Sequence, residues 1–309
     1  MTSSTSAVTI LGAGIAGAAC ARVLRDAGVP FRVLDRGRAV GGRMSSPELH
    51  GRRVDLGAGY FTVRDDAFRD VVDGWHSRGL VREWTDTFAV LERGSEPQQK
   101  QGPMRWGTPS GLRSLVKDLL AGIDVTTSEV EELPNGHVVV AMPDPQAGRM
   151  VDVPDAVEYD PVIAVALGLD PSEAARLPFR DAAFVSGDSD VEFLAHDGAR
   201  RGDGAAVVVA HTSAERARDH LEDPAGAVEP VMRAFERLTG IRSAVWTHAH
   251  RWTFAKPAAQ HDHTHSVVER EGRMVGFAGD QWCPEGSPRV ESAWRSGTDL
   301  GHTLLGRLG

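Results

Sequence analysis

The chain has 309 residues, of which 41% are hydrophobic and 25% charged, and its formal net charge is -9. This length and apolar content predict a sizeable core divided between two domains. The acidic balance argues against a nucleic-acid-binding protein, which needs a basic face. No apolar run approaches the roughly 20 residues of a membrane-spanning helix. The start, MTSSTSAVTILGAG, lacks the features of a signal peptide. We therefore predict a cytoplasmic protein without a membrane or nucleic-acid partner.

The first elements along the chain form a β-α-β unit. Residues 8 to 11 are a short apolar strand, IAGAACARVLRDAG is a helix of small residues ended by Gly28, and FRVLD is a second strand. Such a unit predicts a parallel sheet. After the polar turn RGSEPQQKQGP, the helix SGLRSLVKDLLAG is expected to return to this sheet. The strands IDVTTSEVEEL and HVVVAMP are expected to join it, the second ended by Pro143.

Residues 151 to 255 have a different pattern. Four spaced strands, DPVIAVAL, AAFVSG, VEFLAH and AAVVVAHTS, precede helices at 213 to 222 and 226 to 239. This predicts a mostly antiparallel sheet with helices, inserted before the chain returns to the first domain. The return is the strand RMVGFAGD and a C-terminal helix. An apolar stripe on that helix consists of Val290, Ala293, Trp294, Gly297, Leu300 and Leu304.

A glycine loop lies between the first strand and the first helix. Gly12 permits a tight turn, Gly14 lets the backbone approach a pyrophosphate, and Gly17 lets helix and strand pack closely. The helix N-terminus presents N–H groups to the phosphates. Asp35 ends the second strand, where a carboxylate accepts hydrogen bonds from ribose hydroxyls, and Arg36 follows it. The loop predicts a dinucleotide site but does not separate FAD from NAD.

Three further segments favour FAD. Gly41, Gly42 and Arg43 suit a second close backbone approach and a cation for the pyrophosphate. VDLGAGYFT, residues 54 to 62, is a stretch of small residues against which a planar ring could lie. Gly279 and Asp280 end a strand before a helix whose N-terminus favours negative charge on a reduced flavin.

The fold class predicted is therefore α/β, with an FAD-binding Rossmann-type parallel sheet domain and an inserted, mostly antiparallel substrate domain. The expected boundaries are 1–75, 103–150 and 266–309 for the FAD-binding domain, and 76–102 and 151–265 for the substrate domain.

These segments together resemble flavoproteins of the amine-oxidase superfamily, and within it the renalases and their bacterial relatives. The segments that carry the resemblance run nearly end to end and are DLGAGYFT, MRWGTPSGL, VVVAMPDPQA, YDPVIAVALGLD, HAHRWTFAKP and GDQWCPEGSPRVESAW. The resemblance implies a two-domain flavoprotein with non-covalent FAD. It places at cofactor-contacting positions Ala16, Asp35, Arg43, Gly59, Tyr60, Val130, Asp280 and Val290. The chain departs from the family at Gly59, where relatives often carry a larger polar residue, and in the short segment between Val130 and Val138.

Five residues are candidates for the substrate pocket. Trp106 and Trp252 form either an aromatic wall beside the flavin or part of the core. Arg105, His250 and Arg251 flank them and either receive substrate phosphates or a carboxamide, or form surface ion pairs.

Two other features favour structural interpretations. In HDHTH, three alternating histidines could hold a metal, but no carboxylate ligand is clearly placed beside them, so we expect a surface loop and no metal. Cys283 lies near where some amine oxidases attach flavin covalently, and the resemblance favours an ordinary thiol. Cys20 is expected in the core.

The resemblance implies an FAD-dependent oxidase that takes hydride from isomers of NADH reduced at the 2- or 6-position and gives NAD and H2O2. Its partners would be that small molecule and O2. A flavin amine oxidase is the alternative within the same chemistry, and a flavin-bound redox or partner module without turnover is the alternative outside it.

Overall fold

The computed structural model describes residues 8–308, which pack as two compact units. The first contains the chain up to Met44, Arg113–Tyr159 and the chain from Lys256 onward, and the second contains Ser45–Leu112 and Asp160–Ala255. By packing, residues 45–75 and 103–112 group with the second unit and residues 151–159 and 256–265 with the first, which differs from the boundaries expected from the sequence. The segment used to predict the absence of a signal peptide includes residues 1–7, which lie outside the described residues.

Strands and helices are interspersed along the chain in both units. The strands are β1 Val8–Leu11, β2 Phe31–Asp35, β3 Glu48–Leu49, β4 Arg52–Arg53, β5 Arg82–Glu92, β6 Gln98–Gly107, β7 Val125–Thr127, β8 His137–Val140, β9 Tyr159–Gly168, β10 Ala182–Ser186, β11 Val191–His196, β12 Val207–Thr212, β13 Trp246–Pro257, β14 Ser266–Arg270 and β15 Arg273–Phe277. The helices are α1 Ile15–Asp26, α2 Asp66–Ser77, α3 Arg113–Leu119, α4 Asp144–Ala147, α5 Pro171–Ala174, α6 Asp197–Arg201, α7 Ala214–Asp219, α8 Val228–Thr239 and α9 Val290–Leu308.

The first unit is built on a six-stranded sheet of order β14-β15-β8-β1-β2-β7. Strand β1 pairs parallel with β2 and β8, β15 with β8, and β2 with β7, whereas β14 pairs antiparallel with β15. All four residues of β1 are buried, as expected for a central parallel strand. The predicted parallel sheet is confirmed.

Helices α1 and α9 pack against each other in this unit through small residues. A Cβ atom on Gly297 would lie 1.9 Å from the Ala16 carbonyl oxygen, and one on Gly301 would lie 2.8 Å from the Val23 Cβ. The helices can approach this closely only because neither glycine has a side chain. The predicted apolar stripe of α9 is buried along its whole length.

The second unit is built on a seven-stranded sheet of order β13-β9-β12-β11-β10-β5-β6. Strands β5 and β6, β10 and β11, β11 and β12, and β12 and β9 pair antiparallel, and β10 pairs parallel with β5. The prediction of a mostly antiparallel sheet is therefore confirmed. Its core lies between one face of the sheet and α8, around Leu167, Leu194 and Phe235.

Two local expectations were wrong. RGSEPQQKQGP is not a turn throughout, because β6 begins at Gln98 and forms a hairpin with β5. Its side chains are polar because β6 is an edge strand. IDVTTSEVEEL forms only the three residues of β7, which pair with the end of β2. Across residues 8–308, no helix combines the length and apolar character needed to cross a membrane.

Candidate FAD site and substrate-side residues

The glycine loop joins β1 to α1 in the first unit. Gly12 has φ +107°, and a Cβ there would lie 2.4 Å from the Ala141 carbonyl oxygen. A Cβ on Gly17 would lie 1.9 Å from the Gly12 carbonyl oxygen, whereas a Cβ on Gly14 would meet nothing within 4 Å. The loop is thus tightly packed at Gly12 and Gly17 and open at Gly14, where α1 begins.

A second glycine segment packs against the first. The Gly41 N–H donates to the Ala13 carbonyl over 2.9 Å, and a Cβ on Gly42 would lie 3.4 Å from the Gly14 Cα. Asp35 accepts a hydrogen bond of 2.6 Å from Ala13 N at one oxygen and another of 2.6 Å from Gly37 N at the other. A carboxylate has about four acceptor positions, so Asp35 can accept further hydrogen bonds. The adjacent Arg36 is exposed.

Arg43 and Asp280 form a two-point ion pair, although they are 237 residues apart. The Arg43 Nη1 and Nη2 atoms donate to the two Asp280 oxygens over 2.9 and 2.7 Å. Tyr159 lies beside this pair: the Arg43 guanidinium is 5.5 Å from its ring centroid, and its hydroxyl is 3.5 Å from Asp280 Oδ1. Burial, followed by the Asp280 charge, raises the pKa of Tyr159 far above its ordinary value, so its hydroxyl stays protonated.

The buried carboxylate of Asp144 connects the segment before Tyr159 with the segments that contain Gln281 and His261. It accepts hydrogen bonds from Val157 N at 3.0 Å and from Gln281 Nε2 at 2.7 Å, and it lies 2.7 Å from His261 Nε2. The His261 ring stacks on Trp282 with centroids 3.6 Å apart. His261 was expected in a surface loop, and this was wrong because its imidazole completes a buried carboxylate network. Among residues 8–308, no cluster of three or more His, Cys, Asp or Glu side chains could hold a metal.

The other predicted cofactor residues of this unit lie on α1, on α9 or beside the sheet. Ala16 and Val290 are buried in the first turns of α1 and α9. Gly279 N donates to Ser296 Oγ over 3.0 Å. Val130 packs against the cluster around Val138 and Phe277.

The first unit thus brings together features that could hold the FAD cofactor. A helix N-terminus lies beside a position open to a ligand at Gly14, and the Asp35 carboxylate and the Arg43 guanidinium lie in segments that flank it. Cys283 is buried, and its thiol donates to the Glu285 carbonyl over 3.0 Å. Cys20 is buried in α1, and burial raises the pKa of its thiol to about 12.

In the second unit, residues 54–62 are fixed by a buried charge network. Arg200 is fully buried, and its Nη1 donates to the Gly59 carbonyl over 2.8 Å while its Nη2 lies 3.1 Å from Asp55 Oδ2. Asp197 forms a second ion pair with Arg200, and Leu112 N donates to Asp55. Arg200 thus binds both ends of the segment from Asp55 to Gly59: the Asp55 carboxylate at one end and the Gly59 carbonyl at the other.

Arg105 and Trp106, at the end of β6, lie against the far end of the same segment. The Arg105 guanidinium is 3.8 Å from the centroid of Phe88 and 5.8 Å from that of Tyr60. Arg105 is 5% exposed, and within the described residues its Nε and Nη1 atoms have no hydrogen-bond partner. Trp106 is buried, exchanges two backbone hydrogen bonds with Phe61 and stacks on its ring. Of the two alternatives for Trp106, its packing matches the core.

His250 and Trp252 lie on one face of β13, with ring centroids 4.4 Å apart. Trp252 Nε1 donates to the Leu56 carbonyl over 2.9 Å. The pKa of His250 is lowered by burial and then by His248 and Arg251, which favours a neutral imidazole. Successive side chains of a strand point to opposite faces, so Arg251 lies on the other face, where it is exposed and donates to the Leu221 carbonyl.

The segment 54–62 therefore contacts both groups of substrate-side candidates. β6 and β13 are the two edges of the sheet, yet Trp252 bonds to Leu56 and Trp106 pairs with Phe61. At most about 18 Å of extended chain separates these two contact points.

Comparisons with known proteins bear on the fold and on the cofactor of this chain. A family model described as an NAD(P)-binding Rossmann-like domain matches residues 10–75. Renalase from Mus musculus is 24% identical over 319 residues, which cover 87% of this chain and 89% of the mouse protein. The chain is thus similar to renalase over most of its length, and it is an FAD-dependent oxidoreductase.

Solved structures show the same fold as this renalase-like chain. Cyclohexylamine oxidase from Brevibacterium oxydans IH-35A matches with a TM-score of 0.74 at 13% identity, covering 98% of this chain and 99% of that one. Putrescine oxidase bound to putrescine matches with a TM-score of 0.71 at 12% identity and the same coverage. The fold is thus that of the flavin amine oxidases.

The sequence did not identify three residues that hold these sites together: Tyr159, Asp144 and Arg200. Tyr159 and Asp144 lie within segments that carried the family resemblance, but their types alone gave no partner. Arg200 is in a helix of five residues, where arginine is ordinarily a surface residue.

Proposed function

We propose that the renalase-like chain oxidises a dihydronicotinamide, namely the isomers of NADH reduced at the 2- or 6-position, and releases NAD and H2O2. The observation that carries this proposal is the extent of the likeness to mouse renalase, which covers 87% of the chain and so reaches into the second unit. A Rossmann-type loop is common to many enzymes, whereas the substrate-side residues lie in the second unit.

The residues of the chain bind and orient, while the cofactor reacts. FAD, when bound, would supply the acceptor for hydride and the route by which the electrons reach O2. The N-terminus of α1 and Arg43 would hold its pyrophosphate, and Asp35 its ribose. Retention would be non-covalent, so the protein should purify yellow and release FAD on acid or heat treatment.

Arg105 supports an anionic substrate over an amine. A buried guanidinium next to Tyr60, with two nitrogens that have no hydrogen-bond partner in the described chain, attracts phosphate and disfavours an ammonium group. A local cation is also needed because the net charge of -9 repels a dinucleotide at long range.

The test is anaerobic mixing of the purified flavoprotein with 2- and 6-position isomers of NADH, ordinary NADH, a monoamine and a polyamine. Flavin absorbance should bleach fast with the isomers, slowly with NADH and not with the amines. Chromatography should find one NAD per flavin reduced, and readmitted O2 should give H2O2. Fast bleaching by an amine with the isomers inert would establish the amine-oxidase alternative, and no bleaching by any compound would favour a module without turnover.

Arg105→Met tests the anion-binding role. Loss of charge-assisted hydrogen bonds should raise the half-saturating substrate concentration by about 10-fold or more and remove most of its dependence on salt. The matched control is Arg242→Met, which makes the same charge change at a side chain that is 84% exposed and should leave substrate affinity nearly unchanged. Equal effects of the two substitutions would show that only net charge matters.

A further inference from the structure

Tyr159 is the first residue of β9 and is 8% exposed. Its ring lies against the Arg43 guanidinium, 5.5 Å from centroid to Cζ, and its hydroxyl reaches Asp280 Oδ1 at 3.5 Å. The same carboxylate accepts both Arg43 nitrogens at 2.9 and 2.7 Å. A cation is therefore oriented by an aromatic face and a carboxylate together.

The contacts with Asp280 and Tyr159 restrict the orientation of the Arg43 guanidinium in different ways. The two-point bond to Asp280 fixes the guanidinium plane, since two parallel N–H···O bonds allow one orientation. The Tyr159 ring favours the cation over its face and excludes water from one side. Because the raised pKa of Tyr159 keeps its hydroxyl protonated, that group donates to Asp280 and never repels it.

The position of Tyr159 is itself fixed by the chain around it. The backbone carbonyl of Glu158 accepts a hydrogen bond of 2.8 Å from Ala258 N, and Val157 N donates to the buried Asp144 carboxylate. Asp144 also accepts from Gln281, the neighbour of Asp280. One buried carboxylate thus bonds to the backbone two residues before Tyr159 and to the side chain of the residue that follows Asp280.

We propose that Tyr159 is a positioning residue of the cofactor site, which orients Arg43 and Asp280 for FAD without needing to react. The inference rests on the proposed roles of Arg43 and Asp280 as FAD-contacting residues. Tyr159→Leu, which removes ring and hydroxyl, should weaken FAD binding by about 10-fold. Tyr159→Phe, which keeps the ring, should weaken it by about threefold.

The test is a double-mutant cycle with FAD affinity as its readout. FAD is removed from the whole protein and titrated back into wild type, Tyr159→Leu, Arg43→Met and the double variant, with flavin fluorescence as the signal. If Tyr159 acts through Arg43, Tyr159→Leu should lose most of its effect in the Arg43→Met background. The proposal would be overturned if the fold-changes in FAD affinity of the two single variants multiplied in the double variant, or if Tyr159→Leu bound FAD with wild-type affinity.

Two controls separate this result from misfolding and from the proposed reaction. Phe235→Leu removes a fully buried ring of α8 in the core of the second unit and should lower the urea midpoint without changing FAD affinity. If Phe235→Leu weakens FAD binding as much as Tyr159→Leu, the effect is general destabilisation and the proposal fails. The cycle uses no substrate, so inert NADH isomers would overturn the proposed reaction while leaving this result standing. A wild type that takes up no FAD would overturn both.

Discussion

Gly12, Gly14 and Gly17 fall within six residues, yet the chain needs each glycine for a different physical reason. Gly12 has a positive φ, which a side chain rarely adopts, and it lies against the Ala141 carbonyl. Gly17 has no room for a Cβ because the Gly12 carbonyl occupies its place. Gly14 is confined by neither condition, and as the N-cap of α1 it leaves open space in which a ligand could approach the backbone.

This distinction predicts opposite outcomes for two alanine substitutions. Gly17→Ala should lower the free energy of unfolding by roughly 1–3 kcal/mol, because backbone must move to admit the Cβ. Gly14→Ala should leave stability within about 1 kcal/mol but weaken FAD binding by about 10-fold or more, since the methyl group would occupy the space of the pyrophosphate. Urea unfolding of the FAD-free protein and FAD titration measure the two effects. Wild-type affinity in Gly14→Ala would place the cofactor elsewhere.

At the scale of elements, the sequence predicted the strands and helices that have a clear pattern of apolar residues, small residues or terminal glycines. β1, α1, β2 and α9 lie where expected because buried strands, small-residue helices and terminal glycines leave clear signals. β6 was missed because an edge strand can be polar: its hydrogen bonds come from the backbone. The candidate cofactor motifs could also be predicted from the sequence, because a close approach of the backbone restricts a position to glycine or another small residue.

β13 shows why the substrate side was harder to predict. HAHRWTF reads as a cluster of candidate residues, but a strand sends neighbours to opposite faces. His250 and Trp252 share a half-buried face near Leu56, whereas Arg251 lies on the other, exposed face. Sequence proximity grouped three residues that the strand separates.

This separation predicts different effects for two substitutions on neighbouring residues. Trp252→Ala should slow flavin reduction by the dihydronicotinamide roughly three- to 10-fold, because an aromatic surface for the ring is lost, while FAD stays bound. Arg251→Ala should leave that rate near wild type, since its side chain is exposed on the other face of β13 and donates to the Leu221 carbonyl. Rapid-mixing absorbance measures both rates. Loss of flavin in Trp252→Ala would show that its role is to hold the fold, and a large effect of Arg251→Ala would contradict the assignment by faces.

Across the whole molecule, the contacts that shape the sites join residues far apart in the chain. Arg43 meets Asp280 over 237 residues, and Asp144 meets His261 over 117. The sequence shows the residue types but not the partners, because each arginine could pair with many carboxylates. Only the packed sheets bring these particular groups together, which is why their networks could not be predicted.

Burial of histidines in both units predicts how the stability of the whole molecule depends on pH. Burial is the largest cause that lowers the pKa values of His248, His250 and His265 below their ordinary 6.5. As pH falls through 6.5, the unfolded chain takes up protons that the folded chain resists, so the free energy of unfolding should fall. The carboxylates of Asp26 and Asp190, whose pKa values are lowered from 3.8, lose their contribution only in more acidic solution. The decline between about pH 7 and 5.5 is therefore assigned to histidine. Urea midpoints across this range should drop in wild type and drop less in His250→Gln and His265→Gln, whereas a flat wild-type profile, or unchanged slopes in both variants, would refute the assignment.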